Sequence, residues 1–412
     1  MRVLLLTHGT EGDVRPFIAL ARGLIAAGHE AAVCAADGFA PLVEGAGVDF
    51  RGFGNDLYEA MRAAMEDSDS VTGLVRHGSA LIGATKASLP HQWEVARAYV
   101  PDLIVFHPKP LSGPHIAEAL GVPGVLSLPI PLHQATRAWA PPLWSDAPRW
   151  AWPVLHRAMA SSAGAYGAMA NGLRRRIGLR GVRWGSRELT TPEGRPRHVL
   201  YPYSPTFVPT PDDFPPTAHV TGYWFLDGDA DPPPELVEFV AAGRPDVYLG
   251  FGSMALGGLR EQLSDAVSGA LRRTGLRAVV GAGWGGVSAE GLTEGTLAVG
   301  HVPHDWLLPR VGAAVHHGGA GTVGATLRAG RPSLVCPLLG DQPWWGQRIH
   351  AGGLGPAPIP MKSLTADTLA AGLERLVADP PAAERAAALG ARIRAEDGIG
   401  QAIRVLESIA PS

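Results

Sequence analysis

The feature that most restricts the fold of this chain is a glycine-rich turn within residues 312–330, between an apolar run and a short helical pattern. Residues 313–316 carry no charge and predict a buried strand, while residues 322–329 predict a helix that Gly330 and Pro332 end. Glycines let the backbone approach a ligand closely, and the start of a helix offers unpaired N–H groups and partial positive charge. The stretch therefore predicts an anion site in a parallel α/β fold.

Side chains at the turn extend this predicted anion site. His317 precedes the glycines and Thr322 opens the helix, so an imidazole and a hydroxyl add hydrogen-bond donors. Gly319 and Gly321 are the positions at which the backbone would approach a phosphate. No Gly-Lys-Ser/Thr follows, so the turn is not a Walker loop. The alternative is a tight turn of a parallel sheet, in which the paired histidines 316–317 would be unusual.

A second motif follows the next apolar run and joins the first in one resemblance. His316-His-Gly-Gly-Ala-Gly-Thr322 and Pro337-Leu-Leu-Gly-Asp-Gln-Pro-Trp-Trp-Gly346 resemble the nucleotide-sugar signature of two-domain glycosyltransferases. Within glycosyltransferase family 1, the chain resembles the branch of sterol glucosyltransferases and antibiotic (macrolide, glycopeptide) glycosyltransferases, over nearly its whole length. The resemblance implies the GT-B fold, an α/β architecture of two Rossmann-like doubly wound domains that face each other across a cleft.

The resemblance assigns further contacts to the nucleotide sugar. Ser253, at a strand end, matches a donor-phosphate contact, and Val302 matches the segment whose backbone binds the nucleotide base. Asp341 and Gln342 offer acceptors and donors for a pair of sugar hydroxyls. Many glucose-nucleotide transferases carry a glutamate for the ribose early in the helix after the cradle, where this chain has Ala325. The choice between UDP- and dTDP-sugars therefore stays open.

The first strand-to-helix turn carries the candidate catalytic residue. An apolar run over residues 3–7 predicts a strand buried on both faces, and Asp13 lies between it and the helix predicted over residues 17–27. Ligands of doubly wound sheets bind at this edge. Gly12-Asp-Val-Arg-Pro16 resembles the Gly-Asp-Val-x-Pro of the family, which implies that Asp13 is the catalytic base and that Gly12 contacts the donor. An N-cap aspartate is the alternative.

Candidate acceptor contacts come from a strand end and from an aromatic loop. His107 follows a buried strand pattern and would point toward the same cleft as Asp13, at a place where some relatives have an acidic partner for the base. Trp139 and Trp144 lie in a loop rich in Trp and Pro, which indicates either a mobile lip over an apolar pocket or packing of the loop onto its domain. His8 is interpreted as a solvated loop histidine.

Two series of alternating strand and helix patterns predict two domains. Residues 1–210 are predicted as the acceptor domain and residues 236–395 as the nucleotide-sugar domain, with an interdomain linker over 211–235. The resemblance implies that a last helix, within residues 396–412, packs back on the first domain.

Composition and short motifs argue against several other functions. A net charge of −3 does not indicate a nucleic-acid binding surface. No apolar run approaches the ~18 residues that a membrane span needs. The Trp-rich loop leaves peripheral membrane contact open. Cys34 and Cys336 are isolated, which favours a reducing, cytoplasmic location. Gly281-Ala-Gly-Trp-Gly-Gly286 leads to a strand and not to a helix, so a nicotinamide site is not expected. The Asp-x-Asp spacing from Asp227 is interpreted as solvated linker carboxylates, with no metal site.

The predicted reaction is an inverting, metal-independent transfer of a hexose from a nucleotide sugar, with UDP-glucose favoured, to a hydroxyl of an apolar acceptor such as a sterol or polyketide. Asp13 would deprotonate the acceptor, while the cradle stabilises the leaving diphosphate. No cofactor beyond the nucleotide sugar is expected. The alternatives are a dTDP-deoxysugar transferase of antibiotic biosynthesis, a nucleotide-sugar 2-epimerase and a non-catalytic nucleotide-sugar binding protein.

Overall fold

Two parallel β-sheets, one in each of two units, form the framework of the chain. The computed structural model describes residues 1–66, 71–162, 167–182, 189–228, 231–252, 259–282, 287, 291–300 and 303–410. Contacts within the chain define a first unit of Met1–Arg62, Val75–Leu226 and Glu396–Ser412, and a second unit of Ala63–Leu74 and Asp227–Ala395. The segment predicted as a linker, 211–235, thus divides after Leu226, and its first part contributes a strand to the first sheet.

The first unit contains a seven-stranded sheet in the order β3-β2-β1-β4-β5-β6-β7, and every neighbouring pair is parallel. Its strands are β1 (Arg2–Leu6), β2 (Glu30–Ala35), β3 (Asp49–Gly52), β4 (Leu103–Phe106), β5 (Gly124–Ser127), β6 (Val199–Tyr201) and β7 (Ala218–Val220). The direction in which strands are added reverses between β1 and β4. Ligands bind outside such a reversal, at the carboxyl ends of the strands.

Helices connect these strands, and the first of them begins earlier than the apolar pattern predicts. The helices are α1 (Glu11–Ala26), α2 (Ala40–Gly45), α3 (Asp56–Glu66), α4 (Val71–Tyr99), α5 (Gly113–Leu120), α6 (Trp152–Ser162) and α7 (Gly167–Arg176). The prediction that α1 starts at Phe17 is wrong, because polar capping at Thr10 starts the helix and Pro16 lies inside it. The capping residues, not the apolar periodicity, set this start.

The second unit repeats the arrangement with a five-stranded parallel sheet in the order β10-β9-β8-β11-β12. Its strands are β8 (Val247–Gly250), β9 (Ala278–Gly281), β10 (Thr296–Val299), β11 (Ala313–His316) and β12 (Ser333–Val335). The helices are α8 (Pro234–Ala241), α9 (Arg260–Thr274), α10 (His304–Leu307), α11 (Ala320–Arg328), α12 (Gln342–Ala351), α13 (Ala366–Val377) and α14 (Pro380–Arg394). The order reverses between β8 and β11, so the glycine-rich turn after β11 lies at the switch point.

Alternate residues of the central strands pack into two apolar clusters of the second unit. Val247 and Leu249 belong to one cluster with α9 and α13, whereas Tyr248 belongs to another with Leu236 of α8 and Leu307 of α10. Both faces of the sheet are therefore covered, as continuous apolar strands require.

The last helix, α15 (Gly398–Ile409), belongs to the first unit and packs against α1. His29, which follows α1, lies 3.0 Å from Glu407 of α15. A Cβ at Gly398 would collide with the carbonyl oxygen of Tyr223 and lie 2.7 Å from the carbonyl carbon of Gly222. Only glycine lets the start of α15 approach this backbone.

We expect Gly398→Ala to destabilise the first unit by about 1–3 kcal/mol, because overpacking at a backbone contact forces the helix to shift. Gly45→Ala is the matched control, since no atom lies within 4 Å of a Cβ there. Thermal unfolding should show a melting temperature that falls by several degrees in the first variant and stays level in the second. Equal melting temperatures would contradict the proposed tight docking of α15.

Candidate functional site

Asp13 lies in the first turn of α1, beyond the carboxyl end of β1, with 14% of its side chain exposed. Its Oδ2 accepts hydrogen bonds from the backbone N–H of Thr10 at 2.8 Å and from the Thr10 hydroxyl at 3.2 Å. Lys109 Nζ donates to the same oxygen at 2.6 Å. Thr10 is the N-cap residue, so Asp13 supports the start of the helix from its third position and is not itself the N-cap.

His107 follows β4, the neighbour of β1, and therefore lies beside Asp13. Its Nε2 is 3.6 Å from Asp13 Oδ1, and its Nδ1 accepts the backbone N–H of Lys109 at 3.3 Å. Because Nδ1 accepts, the neutral ring carries its proton on Nε2, the nitrogen that faces Asp13. The position at which an acidic partner was considered thus holds a neutral donor.

Burial and the positive charge of Lys109 together leave Asp13 ionised and the neighbouring histidines uncharged. Burial would raise the pKa of Asp13, but the Lys109 ammonium, the His107 ring and the bond from Thr10 hold it below its usual value. Burial lowers the pKa of His107 to about 3 and the pKa of His8 to about 4. At neutral pH the site therefore contains a carboxylate, a cation and uncharged imidazoles.

Two residues near Asp13, His8 and Lys109, differ from what the sequence suggested. His8 is only 5% exposed and packs edge-on against Phe53, so its interpretation as a solvated histidine is wrong. Lys109 was missed, although it follows the same strand as His107 in a His-Pro-Lys-Pro run. The missing information was the strand order, because only the pairing of β1 with β4 brings Lys109 to Asp13.

The two tryptophans predicted to contact an acceptor differ in their surroundings. Trp139 is 7% exposed and packs edge-on against Phe214, with 6.1 Å between ring centroids, as expected of a residue that fixes the loop to the domain. Trp144 is 42% exposed in a short 3₁₀ turn. Contact of either ring with an acceptor stays a prediction.

In the second unit the two histidines of the pair are both buried but have different contacts. His316 ends β11, is fully buried, and accepts the N–H of Gly318 on Nδ1 at 3.1 Å. His317 keeps 9% exposure, and burial lowers the pKa of its ring to about 4. Gly252, with φ +66°, lies against this ring, and a Cβ there would be 2.9 Å from Cε1 of His317. The turn after β8 thus supports the histidine that follows β11.

Helix α11 begins at Ala320, two residues before its predicted start, with Gly319 as its N-cap residue. Gly321 and Thr322 therefore occupy the first turn, whose N–H groups have no acceptor within the helix. A Cβ at Gly321 would meet no atom within 4 Å, whereas one at Gly318 would lie 2.7 Å from Val335. Packing requires the glycine at 318, and at 321 it leaves the backbone of the first turn uncovered.

The turn after β12 places Asp341 and Gln342 at the start of α12. Gln342 is 4% exposed, and its Oε1 accepts the backbone N–H groups of Leu338 at 2.7 Å and Leu339 at 3.2 Å. Asp341 Oδ2 accepts the indole N–H of Trp345 at 2.7 Å. Both side chains help to shape the turn, and their contacts with a donor sugar stay predictions.

The remaining predicted residues have varied positions. Gly12 is exposed in the first turn of α1, while Ser253, Val302 and the 283–286 part of the Gly-rich string lie outside the described residues. Asp227 is exposed, as interpreted from the sequence, and it also forms two hydrogen bonds of 2.6 Å with Arg328. Among the described residues, no group of three His, Cys, Asp or Glu side chains is arranged to hold a metal ion. None of the helices in that part of the chain has the length and apolar character that crossing a membrane requires.

Comparisons with known proteins agree with this arrangement. Residues 3–132 match the glycosyltransferase family 28 N-terminal domain, and residues 288–401 match the C-terminal domain of erythromycin biosynthesis protein CIII-like proteins. The chain is 35% identical to a sterol 3-β-glucosyltransferase of Neosartorya fischeri over 98% of its own length, but it spans only 29% of that relative.

Solved structures share the fold over the whole chain. The glycotransferase of kitacinnamycin matches with a TM-score of 0.72 and 20% identity, over 100% of this chain and 99% of the other. A Streptomyces sp. SF2575 glycosyltransferase complexed with thymidine diphosphate matches with a TM-score of 0.60 and 23% identity, over 99% of each chain. The resemblance inferred from the sequence is thereby confirmed, and the chain belongs to the GT-B glycosyltransferases, in the branch that contains sterol and antibiotic glycosyltransferases.

Proposed function

We propose that this protein transfers a hexose from a nucleotide sugar, with UDP-glucose favoured, to a hydroxyl of an apolar acceptor such as a sterol or polyketide. One observation carries the proposal: Asp13 is a carboxylate at a switch point of its sheet, and one of its oxygens is not engaged by the helix cap. The similarity to sterol 3-β-glucosyltransferases over 98% of this chain supports the acceptor class.

On the acceptor side, Asp13 would act as a general base. The acceptor hydroxyl loses its proton to the carboxylate while its oxygen attacks the anomeric carbon of the sugar. The low pKa of Asp13 keeps the base ionised, and the neutral His107 ring can donate a hydrogen bond without competing for the same proton. The carboxylate thus needs no prior activation.

On the donor side, the second unit would stabilise the leaving diphosphate. The first turn of α11 offers free N–H groups and partial positive charge, and Thr322 adds a hydroxyl. The neutral His317 ring has one N–H, which could bind a phosphate oxygen if it exchanged the backbone carbonyl of Gly250 for the ligand. These donors would replace a metal ion in neutralising charge on the leaving group, and a single attack opposite that group inverts the anomeric centre.

A dTDP-deoxysugar is the second candidate donor, and one observation favours it. Because residue 325 of α11 is an alanine, this position offers no carboxylate to the ribose hydroxyls of a uridine nucleotide. The alanine instead packs against the apolar cluster of Tyr248 and Leu307. A structural neighbour binds thymidine diphosphate. Nucleoside diphosphate release should therefore be compared for UDP-glucose and several dTDP-sugars with the same alcohols.

We expect Thr322→Val to weaken the binding of UDP or dTDP about tenfold, because the phosphate loses a charge-assisted hydrogen bond. Thr326→Val is the matched control: this threonine lies in the same helix, is fully buried, and its hydroxyl has no partner among the described residues. Titration calorimetry gives both dissociation constants. A Thr322→Val protein that binds as tightly as the wild type would remove α11 from the donor site.

We expect Asp13→Asn to lower alcohol-dependent release of nucleoside diphosphate by about a hundredfold to ten-thousandfold, because the amide cannot accept the proton. Affinity for the nucleoside diphosphate should not change. Asp56→Asn, at an exposed position in the first turn of α3, is the control and should keep full activity.

The same assay separates the remaining alternatives. Release that requires an alcohol and disappears with Asp13→Asn establishes the transferase and identifies its donor. An epimerised sugar nucleotide without any alcohol would instead establish an epimerase. Donor binding with no release for any alcohol, in both wild type and variant, would leave a binding protein.

A further inference from the structure

We infer that Lys109 is a positioning residue for the base: it occupies Oδ2 of Asp13 and keeps the side chain ionised, so that Oδ1 is the oxygen that receives the acceptor proton. This inference rests on the proposed function, and it adds a residue and an atom that the family resemblance does not supply. Hydrogen bonds are divided unequally between the two oxygens of the Asp13 carboxylate.

Oδ2 of Asp13 is already surrounded by donors. It accepts the backbone N–H of Thr10 at 2.8 Å, the Thr10 hydroxyl at 3.2 Å and the Lys109 ammonium at 2.6 Å. A carboxylate oxygen has about two lone-pair sites, so these donors leave little room for an incoming hydroxyl. A proton placed on Oδ2 would also break its ion pair. Oδ2 is therefore the anchor of the side chain.

Oδ1 has the opposite surroundings. The nearest recorded donor is Nε2 of His107, at 3.6 Å, which is too long for a hydrogen bond. Within the described residues, no hydrogen bond reaches this atom. A hydroxyl beside Oδ1 could give its proton to the carboxylate while its oxygen accepts the N–H of His107. Oδ1 thus has a lone pair free to accept the proton and lies beside an N–H group, that of His107, which can orient the hydroxyl.

The loop that carries Lys109 is held by buried polar contacts. The backbone N–H of Lys109 binds His107, and Leu111 adopts a left-handed conformation with φ 61°. The Ser112 hydroxyl then donates to the fully buried side-chain oxygen of Gln92, whose amide N–H₂ donates to Ser88 at 3.1 Å. A cation fixed at both ends of its loop keeps its place beside Asp13 although 47% of its side chain is exposed.

The charge balance at Asp13 depends on Lys109 because the other facing groups are uncharged. His8, at the end of β1, and His107, after β4, also face Asp13, but burial lowers their pKa values to about 4 and about 3. His133 faces His107 and is likewise neutral, with its pKa lowered by burial to about 4. Without Lys109, burial would raise the pKa of Asp13, so the carboxylate would protonate at a higher pH.

The first test compares pH profiles of kcat/KM for the wild type, Lys109→Met, Lys109→Arg and the control Lys86→Met, an exposed lysine of α4. We expect Lys109→Met to move the acid limb upward by about one pH unit, with activity on the alkaline plateau retained, and Lys109→Arg to restore the limb. An acid limb that does not move in an active Lys109→Met protein overturns the inference. So does loss of activity at every pH, because it would make Lys109 a substrate contact or a folding residue.

The second test needs no substrate and therefore separates this inference from the proposed function. The ion pair stabilises the folded wild type wherever Asp13 is ionised. The variant regains stability relative to the wild type as falling pH protonates its Asp13, whose pKa is higher. The difference in melting temperature between wild type and Lys109→Met should therefore be larger at pH 7 than near pH 4, because the pKa of Asp13 lies below its usual value in the wild type and the variant protonates first as the pH falls. A difference that stays constant with pH would show that Lys109 does not control the ionisation of Asp13.

A wild-type protein that transfers no sugar under any condition would instead defeat the proposed function, while the melting experiment would still decide whether Lys109 and Asp13 are coupled.

Discussion

The candidate site residues of this protein lie at the carboxyl ends of parallel strands, beside a reversal of strand order. In the first unit the reversal falls between β1 and β4, and Asp13 and His107 follow those two strands. In the second it falls between β8 and β11, and Gly252 and His317 follow them. At such a reversal the connecting helices run to opposite sides of the sheet, which leaves a crevice at the carboxyl ends of the two strands. Polar side chains can lie in this crevice without being covered by a connecting helix. The same geometric rule therefore places candidate site residues in both units.

Opposing electrostatic effects define the candidate base. Burial alone would favour a protonated Asp13, which could not accept a proton, and the same burial keeps the neighbouring imidazoles neutral. The Lys109 ammonium contributes most to offsetting the cost of burial at the carboxylate, together with the His107 ring and the bond from Thr10. The candidate donor site depends on weaker partial charges, because the N–H groups of α11 are fixed by its helix and need no titratable side chain. Its capacity to bind an anion should therefore change little with pH.

Periodicity predicted the regular elements well wherever the strands are apolar on both faces. β11 has the predicted bounds, and β1 lies within one residue of the run predicted over residues 3–7. The start of α1 escaped prediction because it depends on a polar capping arrangement at Thr10 and Asp13, and periodicity does not register such contacts. His8 was misjudged for a related reason: its place in a turn suggested exposure, while Phe53, distant in sequence, covers it.

The sequence by itself determined the parallel α/β class, the glycine-rich turn and the residues that form its surface, because these follow from local pattern and local backbone freedom. Gly318 and Thr322 could be assigned to the turn and to the start of the helix from the chain alone. Only the tertiary structure decided that Lys109 meets Asp13, that one oxygen of this carboxylate is anchored, and that His316 supports the turn while the His317 ring lies against Gly252. Those outcomes depend on which strands pair and on what covers each side chain, and contacts between residues far apart in the chain leave no periodic trace in it.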